Sequence, residues 1–323
     1  MSSTTYPKIT DKIIAQAIDL ELIAEIESIF AAATLAGLDL LMLPTYDLYV
    51  LNISGGKDSQ TMLRLFMRLV DILGLDRRKI VCVFADLGAE DEWAGTEELA
   101  REHAAHYGVR FIKVQKGENN DAPITLLQHI INHGKWPNLE NRFCTSDMKR
   151  DPIGTVITML CDELRSAWKA MLPKGCKARV RRVRILNCMG MRAQESPARA
   201  KLVSFEKNKR VTNETVKDCD NWLPIHGLTE HQVWADIKAS GVRHHWVYDA
   251  GMPRLSCRFC VLAGRKALVR AAQLDPDGAV KRAEAEEKMG HTFGRDFTMR
   301  DIIAEAEALT ARGEVAVAKS WNC

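Results

Sequence analysis

Apolar positions along the chain switch between two patterns. Residues 49–53 form a short apolar run broken only by Asn52, the signature of a buried strand, and it runs into Ser54-Gly-Gly-Lys-Asp-Ser59. Beyond that loop Met62, Leu63, Leu65, Phe66, Leu69 and Val70 recur at helical spacing. Residues 79–86 read as a second buried strand closing on an acidic residue, 96–107 as a helix, and 110–115 as a third strand. A further helix is expected over 124–133. The alternation through Arg184-Ile-Leu-Asn predicts a strand with one charged face, and residues 201–220 read as a polar loop or hairpin. Thr229 caps a helix expected over 230–240, and Thr298-Met-Arg-Asp301 opens an amphipathic helix running to Ala311.

Strands alternating with helices predict an α/β fold with a doubly wound, mostly parallel sheet. Helical periodicity over residues 10–43 adds one or two packing helices at the front. Three regions are therefore expected: an N-terminal helical segment (1–45), an α/β domain (46–215) and a mostly helical, cysteine-bearing region (216–323).

Composition changes this picture little. At 46% apolar and 27% charged, the 323-residue chain is an ordinary globular one, which excludes a low-complexity or disordered polymer. A net charge of +3 is too small to imply a nucleic-acid partner by itself. The longest apolar stretch, 29–43, contains Asp39 and is too short to span a bilayer, so a cytoplasmic protein without membrane contact is expected. Nine cysteines in a reducing compartment point to metal ligands or catalytic thiols rather than disulfides.

The candidate chemistry begins at the 54–59 loop. Gly55 and Gly56 let the backbone approach an anion, the following helix start favours phosphate, Ser54 and Ser59 add hydroxyls, and Lys57 adds a mobile charge. An incidental turn before a helix would carry the same residues. The spacing fits neither the Walker loop nor the dinucleotide fingerprint. Asp86, at a strand end on the same rim, is a candidate contact for nucleotide or magnesium. Arg192 and Arg199 follow another strand end and suit phosphate or sulfate oxygens.

Cys144 lies between Arg142 and Lys149, neighbours that favour a thiolate. Cys257-x-x-Cys260 is compatible with zinc, an iron–sulfur centre or dithiol redox chemistry, while Cys82 reads as core. The basic run Lys174, Lys177, Arg179, Arg181, Arg182, Arg184 is either a solvated face or a phosphate-binding patch.

In order, Ser54-Gly-Gly-Lys-Asp-Ser59, Asp86, Arg142-Phe-Cys-Thr145 with Lys149, Gly190-x-Arg192-x-x-Glu195-Ser196 with Arg199, Pro224-Ile225, Tyr248-Asp-x-Gly251 and Cys257-x-x-Cys260 resemble the phosphoadenosine-phosphosulfate (PAPS) reductase family. The resemblance spans about residues 49–264, and the loop resembles that of the N-type ATP pyrophosphatases. Lys57 and Asp58 are retained, and the chain ends Ser320-Trp-Asn-Cys323 without the Glu-Cys-Gly segment of the reductases. Cys323 is read as incidental. These departures make the ATP pyrophosphatase component of DNA phosphorothioation systems, or a related sulfur transferase, the better match.

The resemblance implies an adenine nucleotide alpha hydrolase-like fold that binds ATP and Mg2+ through Ser54, Gly55, Gly56, Lys57, Asp58, Ser59 and Asp86. Lys57, Asp58, Arg192 and Arg199 would be catalytic. Cys144, Cys257 and Cys260 would hold a [4Fe–4S] cluster with one iron open, or a closed one if Cys188 joins them; zinc is the alternative. A cysteine desulfurase as sulfur donor and a nucleic acid, or a protein that binds one, are the implied partners. A sulfonucleotide reductase, a tRNA-thiolating sulfurtransferase and a non-catalytic ATP-binding subunit are the rival readings.

Overall fold

A computed structural model describes residues 37–117, 122–176 and 178–317. Most of the helical stretch expected at the front, together with Lys177 and Cys323, lies outside the described residues. Leu40–Thr45, at the end of that stretch, is a 3-10 turn.

The elements follow as β1 (Leu48–Asn52), α1 (Lys57–Leu73), β2 (Ile80–Asp86), α2 (Thr96–His106), β3 (Arg110–Gln115), α3 (Leu126–His133) and α4 (Asp151–Ala170). They continue with β4 (Val183–Met189), β5 (Phe205–Lys207), β6 (Lys217–Trp222), α5 (Glu230–Ser240), α6 (Arg265–Leu274), α7 (Pro276–Met289) and α8 (Met299–Ala311). The strands form one sheet in the order β3-β2-β1-β4-β6-β5, parallel except at the β5/β6 edge. This is the expected α/β class.

Both faces of the sheet are covered. Tyr49, Leu51 and Ile53 pack with Leu63 and Phe66 on one side, while Leu48 and Val50 pack with Val156, Ile157 and Leu160 of α4 on the other. A strand with no solvated face takes apolar residues except where a polar side chain finds a partner, which explains the apolar run around residue 50 and leaves Asn52 as its one polar position, bonded to Asn187. The chain moves outward from β1 to β2 and β3, then returns to place β4 on the far side of β1. Strand order therefore reverses between β1 and β4, and the loops leaving their carboxyl ends diverge to open a crevice.

Three expectations need correction. β4 has no charged face: it is a central strand, with only Arg184 charged. Arg184 donates through its guanidinium to Thr45 Oγ1 at 2.6 Å and through its backbone N–H to Asp47 at 2.9 Å. Next, residues 201–220 take the hairpin alternative, β5 pairing antiparallel with β6, and it is the boundary expected at 215 that is corrected, because it falls inside the sheet. β6 was masked by polar residues that find partners: Asp220 accepts from Tyr46 Oη at 2.8 Å and pairs with Lys207 at 2.9 Å. Lastly, α4 has no counterpart in the sequence reading, although Val156, Ile157, Leu160 and Cys161 already carried its spacing.

Helices α6 to α8 share a second core containing Leu268, Val269, Ala283 and Ile302. Leu127 and Ile130 of α3 belong to the same core, as does Phe259 between the paired cysteines. That shared core seats the cysteine turn over the carboxyl end of the sheet. Among the described residues, no helix is long and apolar enough to cross a membrane.

Candidate active site

The loop between β1 and α1 turns tightly because Gly55 adopts φ +70°, and a Cβ there would lie 2.9 Å from the Thr96 carbonyl. Ser59 closes the turn: its Oγ accepts from Ser54 N–H at 3.1 Å and donates to the Gly56 carbonyl at 2.9 Å. At the end of β4, a Cβ on Gly190 would fall 2.7 Å from the Asp58 carbonyl, so the two halves of the crevice meet at backbone distance. Behind the loop, Asn52 Nδ2 donates to Asn187 Oδ1 and Asn187 Nδ2 donates to Asn221 Oδ1, each at 2.8 Å. This ladder pins β1, β4 and β6 beneath the site.

A cleft of about 250 Å³ opens here, lined by Ser54, Gly56, Asp58 and Ser59 from the loop and by Glu195, Ser196 and Arg199 from beyond β4. Gly55, Lys57 and Arg192 lie behind this lining. Lys57 is 1% exposed, with its Nζ 3.4 Å from both Asp58 and Glu230. Arg192, also buried, donates from Nε to Asp58 Oδ1 at 2.5 Å and from Nη1 to Gln194 at 3.1 Å. It braces the loop instead of facing the cleft. Asp86 does not line the cleft either, since it accepts from Gly88 N–H at 2.8 Å and pairs with Lys113 at 2.8 Å.

Arg199 does face the cleft. Glu195 bonds to it and to Arg254, and accepts the Arg192 N–H at 2.9 Å. One buried carboxylate thus aligns two guanidinium groups on the cleft wall. The sequence reading carried Glu195 only as a motif letter and gave Arg254 no role; Arg254 is brought in by tertiary packing alone.

The opposite wall carries the cysteines. A single α turn (Phe143–Thr145) passes into a π-helical turn (Ser146–Arg150) and then into α4. At α-helical spacing Cys144 and Lys149 would lie about 140° apart, and the wider i→i+5 turn brings them to one side. Arg142, Cys144, Thr145 and Lys149 all line the cleft, facing Ser256, Cys257 and Cys260.

Arg258 clamps the Cys257–Cys260 turn. Its N–H donates to the Asp91 carbonyl at 2.8 Å, and its guanidinium pairs with Asp275 at 2.6 Å and donates to the Ala89 and Glu92 carbonyls. Arg282 sits 5.2 Å over the Phe259 ring and pairs with Asp91 at 2.6 Å, adding a second, buried clamp.

A hydrogen bond from the Cys260 thiol pulls the Cys257 thiol down to about 6, against the effect of burial and with help from Lys149; the same bond pushes Cys260 up. Cys144 runs contrary to expectation. Burial pushes its thiol up, as does Cys257, and this outweighs the pull of Lys149. Burial disfavours the Lys149 ammonium, but Cys257, Glu92 and the other two cysteines together hold its affinity for the proton above the ordinary lysine value.

Among the described residues, no three His, Cys, Asp or Glu side chains converge on one metal ion. Three soft donors around one cleft suit a larger iron–sulfur centre by ligand type. Cys188 is not among them: it is fully buried in the sheet core, on β4 beside β1, and pairs in register with Leu51.

The basic run lies before β4, at the opposite end of the sheet from the cleft. Lys174, Arg179 and Arg182 are exposed there, while Arg181 pairs with Asp47 at 2.5 Å and lies 4.4 Å over the Trp168 ring.

Residues 48–263 match the family described as the phosphoadenosine phosphosulfate reductase domain. An uncharacterized 37.8 kDa protein of Escherichia phage 186 is 26% identical over 194 residues, which is 58% of this chain and 49% of that protein. The chain thus spans about half the length of that curated relative. Among solved structures, the PAPS reductase of Candida auris in a phosphate complex covers 75% of this chain and 96% of its own, at 15% identity and TM-score 0.43. The FMN adenylyltransferase of Candida glabrata with FMN and an ATP analogue covers 77% and 70%, at 13% and 0.44. The U34-tRNA thiolase NcsA of Methanococcus maripaludis with its [4Fe–4S] cluster covers 88% and 78%, at 13% and 0.42. Structural likeness at this level carries no argument about chemistry.

Proposed function

The chain belongs to the phosphoadenosine phosphosulfate reductase domain family, and from that premise we propose that it splits ATP between the α and β phosphates, adenylates an acceptor oxygen and replaces that oxygen with sulfur. One observation carries the reading: the 54–59 loop and all three candidate cysteines line a single cleft. A nucleotide seated on the loop would lie within reach of sulfur held at the opposite wall.

In this reading the loop N–H groups with Ser54 and Ser59 hold the phosphates, and Arg199 and Arg254 meet charge developing at the α-phosphorus. Lys57 and Arg192 act from behind by setting the position of Asp58, the loop carboxylate that faces the cleft and would contact Mg2+. The acceptor oxygen attacks the α-phosphorus and expels pyrophosphate. Hydrosulfide then attacks the acceptor, and AMP leaves with the original oxygen. Cys144, Cys257 and Cys260 would hold the [4Fe–4S] cluster, whose chemistry when bound is to offer an iron site for sulfide.

The acceptor is proposed to be a nucleic acid, as in DNA phosphorothioation, with a cysteine desulfurase supplying sulfur. Both follow from the sequence resemblance. Arg142 and Lys149 give the cleft its own cations for an anionic acceptor, so the distant basic run is not required there.

The same cations suit a sulfate, which favours sulfonucleotide reduction as the second reading. Incubation with ATP and with PAPS in separate reactions decides between them. Pyrophosphate release that disappears in Lys57→Ala supports ATP cleavage; sulfite release from PAPS alone supports the reductase. Nucleotide binding without either product leaves a binding subunit.

A further inference from the structure

We infer that Tyr248 contacts the bound nucleotide through its hydroxyl proton and passes occupancy of the loop to the cysteine turn. The inference rests on the reading that the 54–59 loop holds the phosphates of ATP. It adds a residue for which the sequence reading had no role.

A phenol hydroxyl offers one proton and two lone pairs. Tyr248 Oη accepts from Lys57 N–H at 3.0 Å and from Leu255 N–H at 3.3 Å, which uses both lone pairs. Lys57 is the first residue of α1, directly after the loop glycines. Leu255 lies two residues before Cys257. The hydroxyl therefore joins the phosphate loop to the cysteine segment across 191 residues of sequence.

Its position leaves little slack. A Cβ on Gly56 would lie 3.4 Å from Tyr248 Oη and 3.4 Å from Leu255 Cβ, so both side chains rest on the loop. The ring is held edge-on by Trp234 at 5.0 Å, with the Lys57 ammonium 5.4 Å from its centre. Within the described residues nothing accepts the remaining proton, and Tyr248 lines the cleft beside Gly56.

An anion on the loop is the acceptor that this proton lacks. Burial, with the nearby Asp58 charge, pushes the phenol well above its ordinary value, so the proton is present throughout the working pH range. Donation to a phosphate oxygen makes Oη a stronger acceptor, because hydrogen bonds in a chain polarise one another. Leu255 N–H is then held more firmly, and the backbone leading into Cys257 tightens when nucleotide binds.

Hydrogen exchange read by mass spectrometry on the full chain, with an α,β-methylene ATP analogue, tests this directly. In the wild type the analogue is expected to slow exchange in peptides covering 54–60 and also 252–258. Tyr248→Phe keeps the ring and removes the joint. It should bind the analogue roughly tenfold more weakly, the loss expected for one hydrogen bond to a charged group. At saturation it should protect 54–60 without protecting 252–258.

Unchanged affinity in Tyr248→Phe, or protection of 252–258 persisting in it, overturns the inference. So does wild-type protection of 54–60 with none at 252–258, a result that needs no variant. No protection at 54–60 in the wild type refutes nucleotide binding by the loop, and this inference with it.

Discussion

Arg192 Nε lies 2.5 Å from Asp58 Oδ1, an ion pair between the end of β4 and the first turn of α1 with both side chains largely buried. It turns two loops of the crevice into one rigid rim. Asp58 faces the cleft and keeps Lys57 at 3.4 Å, so removing Arg192 costs about 1.5–3 kcal/mol, that of one hydrogen bond to a charged group rather than that of a stranded buried charge. Arg192→Gln is expected to lower unfolding stability by that order in urea titration. Arg192→Lys should recover only part of it, because an ammonium cannot reproduce the guanidinium fork that also reaches Gln194. Equal stability of all three proteins would contradict this role.

Gly190 makes a separate demand on the same rim. With the Asp58 carbonyl 2.7 Å from where a Cβ would sit, Gly190→Ala must push β4 and α1 apart. Overpacking of this kind costs about 1–3 kcal/mol. The variant is expected to melt lower and to bind an ATP analogue more weakly than wild type, by calorimetry. Gly154→Ala, on α4 with nothing near its missing Cβ, is the control and should not weaken binding.

Cysteine substitutions should sort by wall. Cys144→Ser, Cys257→Ser and Cys260→Ser are each expected to lower iron and sulfide content after anaerobic reconstitution. Cys188→Ser buries a hydroxyl in the sheet core, costing about 1–3 kcal/mol, while leaving iron per folded protein unchanged. Loss of iron from folded Cys188→Ser would make Cys188 a ligand and overturn its assignment to the core. A colourless protein with one zinc per chain would overturn the iron–sulfur proposal.

His245 makes stability depend on pH. It is buried, its Nε2 lies 3.1 Å from Thr96 Oγ1, and burial pulls its pKa down to about 4, assisted by the Arg243 charge. The unfolded chain, titrating near 6.5, binds the proton more readily than the folded one. The stabilisation is therefore complete above about 6.5 and is lost as pH falls from there through about 4, amounting to at most about 3 kcal/mol. Burial pushes Asp91 and Glu92 up to about 7 and about 8, and these carboxyls favour the folded state at pH 5 over pH 7.5, opposite to His245. Thermal melts at pH 7.5 and pH 5 are therefore compared with those of His245→Gln, and the wild type is expected to lose more, or gain less, than the variant on going to pH 5. An identical change in both proteins would assign the pH dependence to other groups.

Local chemistry was legible where one stretch of chain settles its own structure. The apolar run around residue 50, the glycines of the loop, the strand over Arg110–Gln115 and the Thr229 cap of α5 could all be read directly, because backbone freedom and side-chain period act over a few residues. The strand β6 escaped because its polar side chains are satisfied by partners distant in sequence, such as Tyr46 for Asp220. The placement of Lys57 and Arg192 behind the cleft was equally hidden, since a charge beside a phosphate loop looks the same whether it faces the ligand or a buried carboxylate.

By itself the sequence determined an α/β chain with a phosphate loop at a strand end and the cysteine types that suit a soft metal centre. Only the tertiary structure decided that Cys144, Cys257 and Cys260 share the loop's cleft, that Cys188 does not, and that the basic run lies at the far end of the sheet. The reason is geometric. Residue types and local periods set what each segment can do, but reversal of strand order between β1 and β4 sets which segments meet.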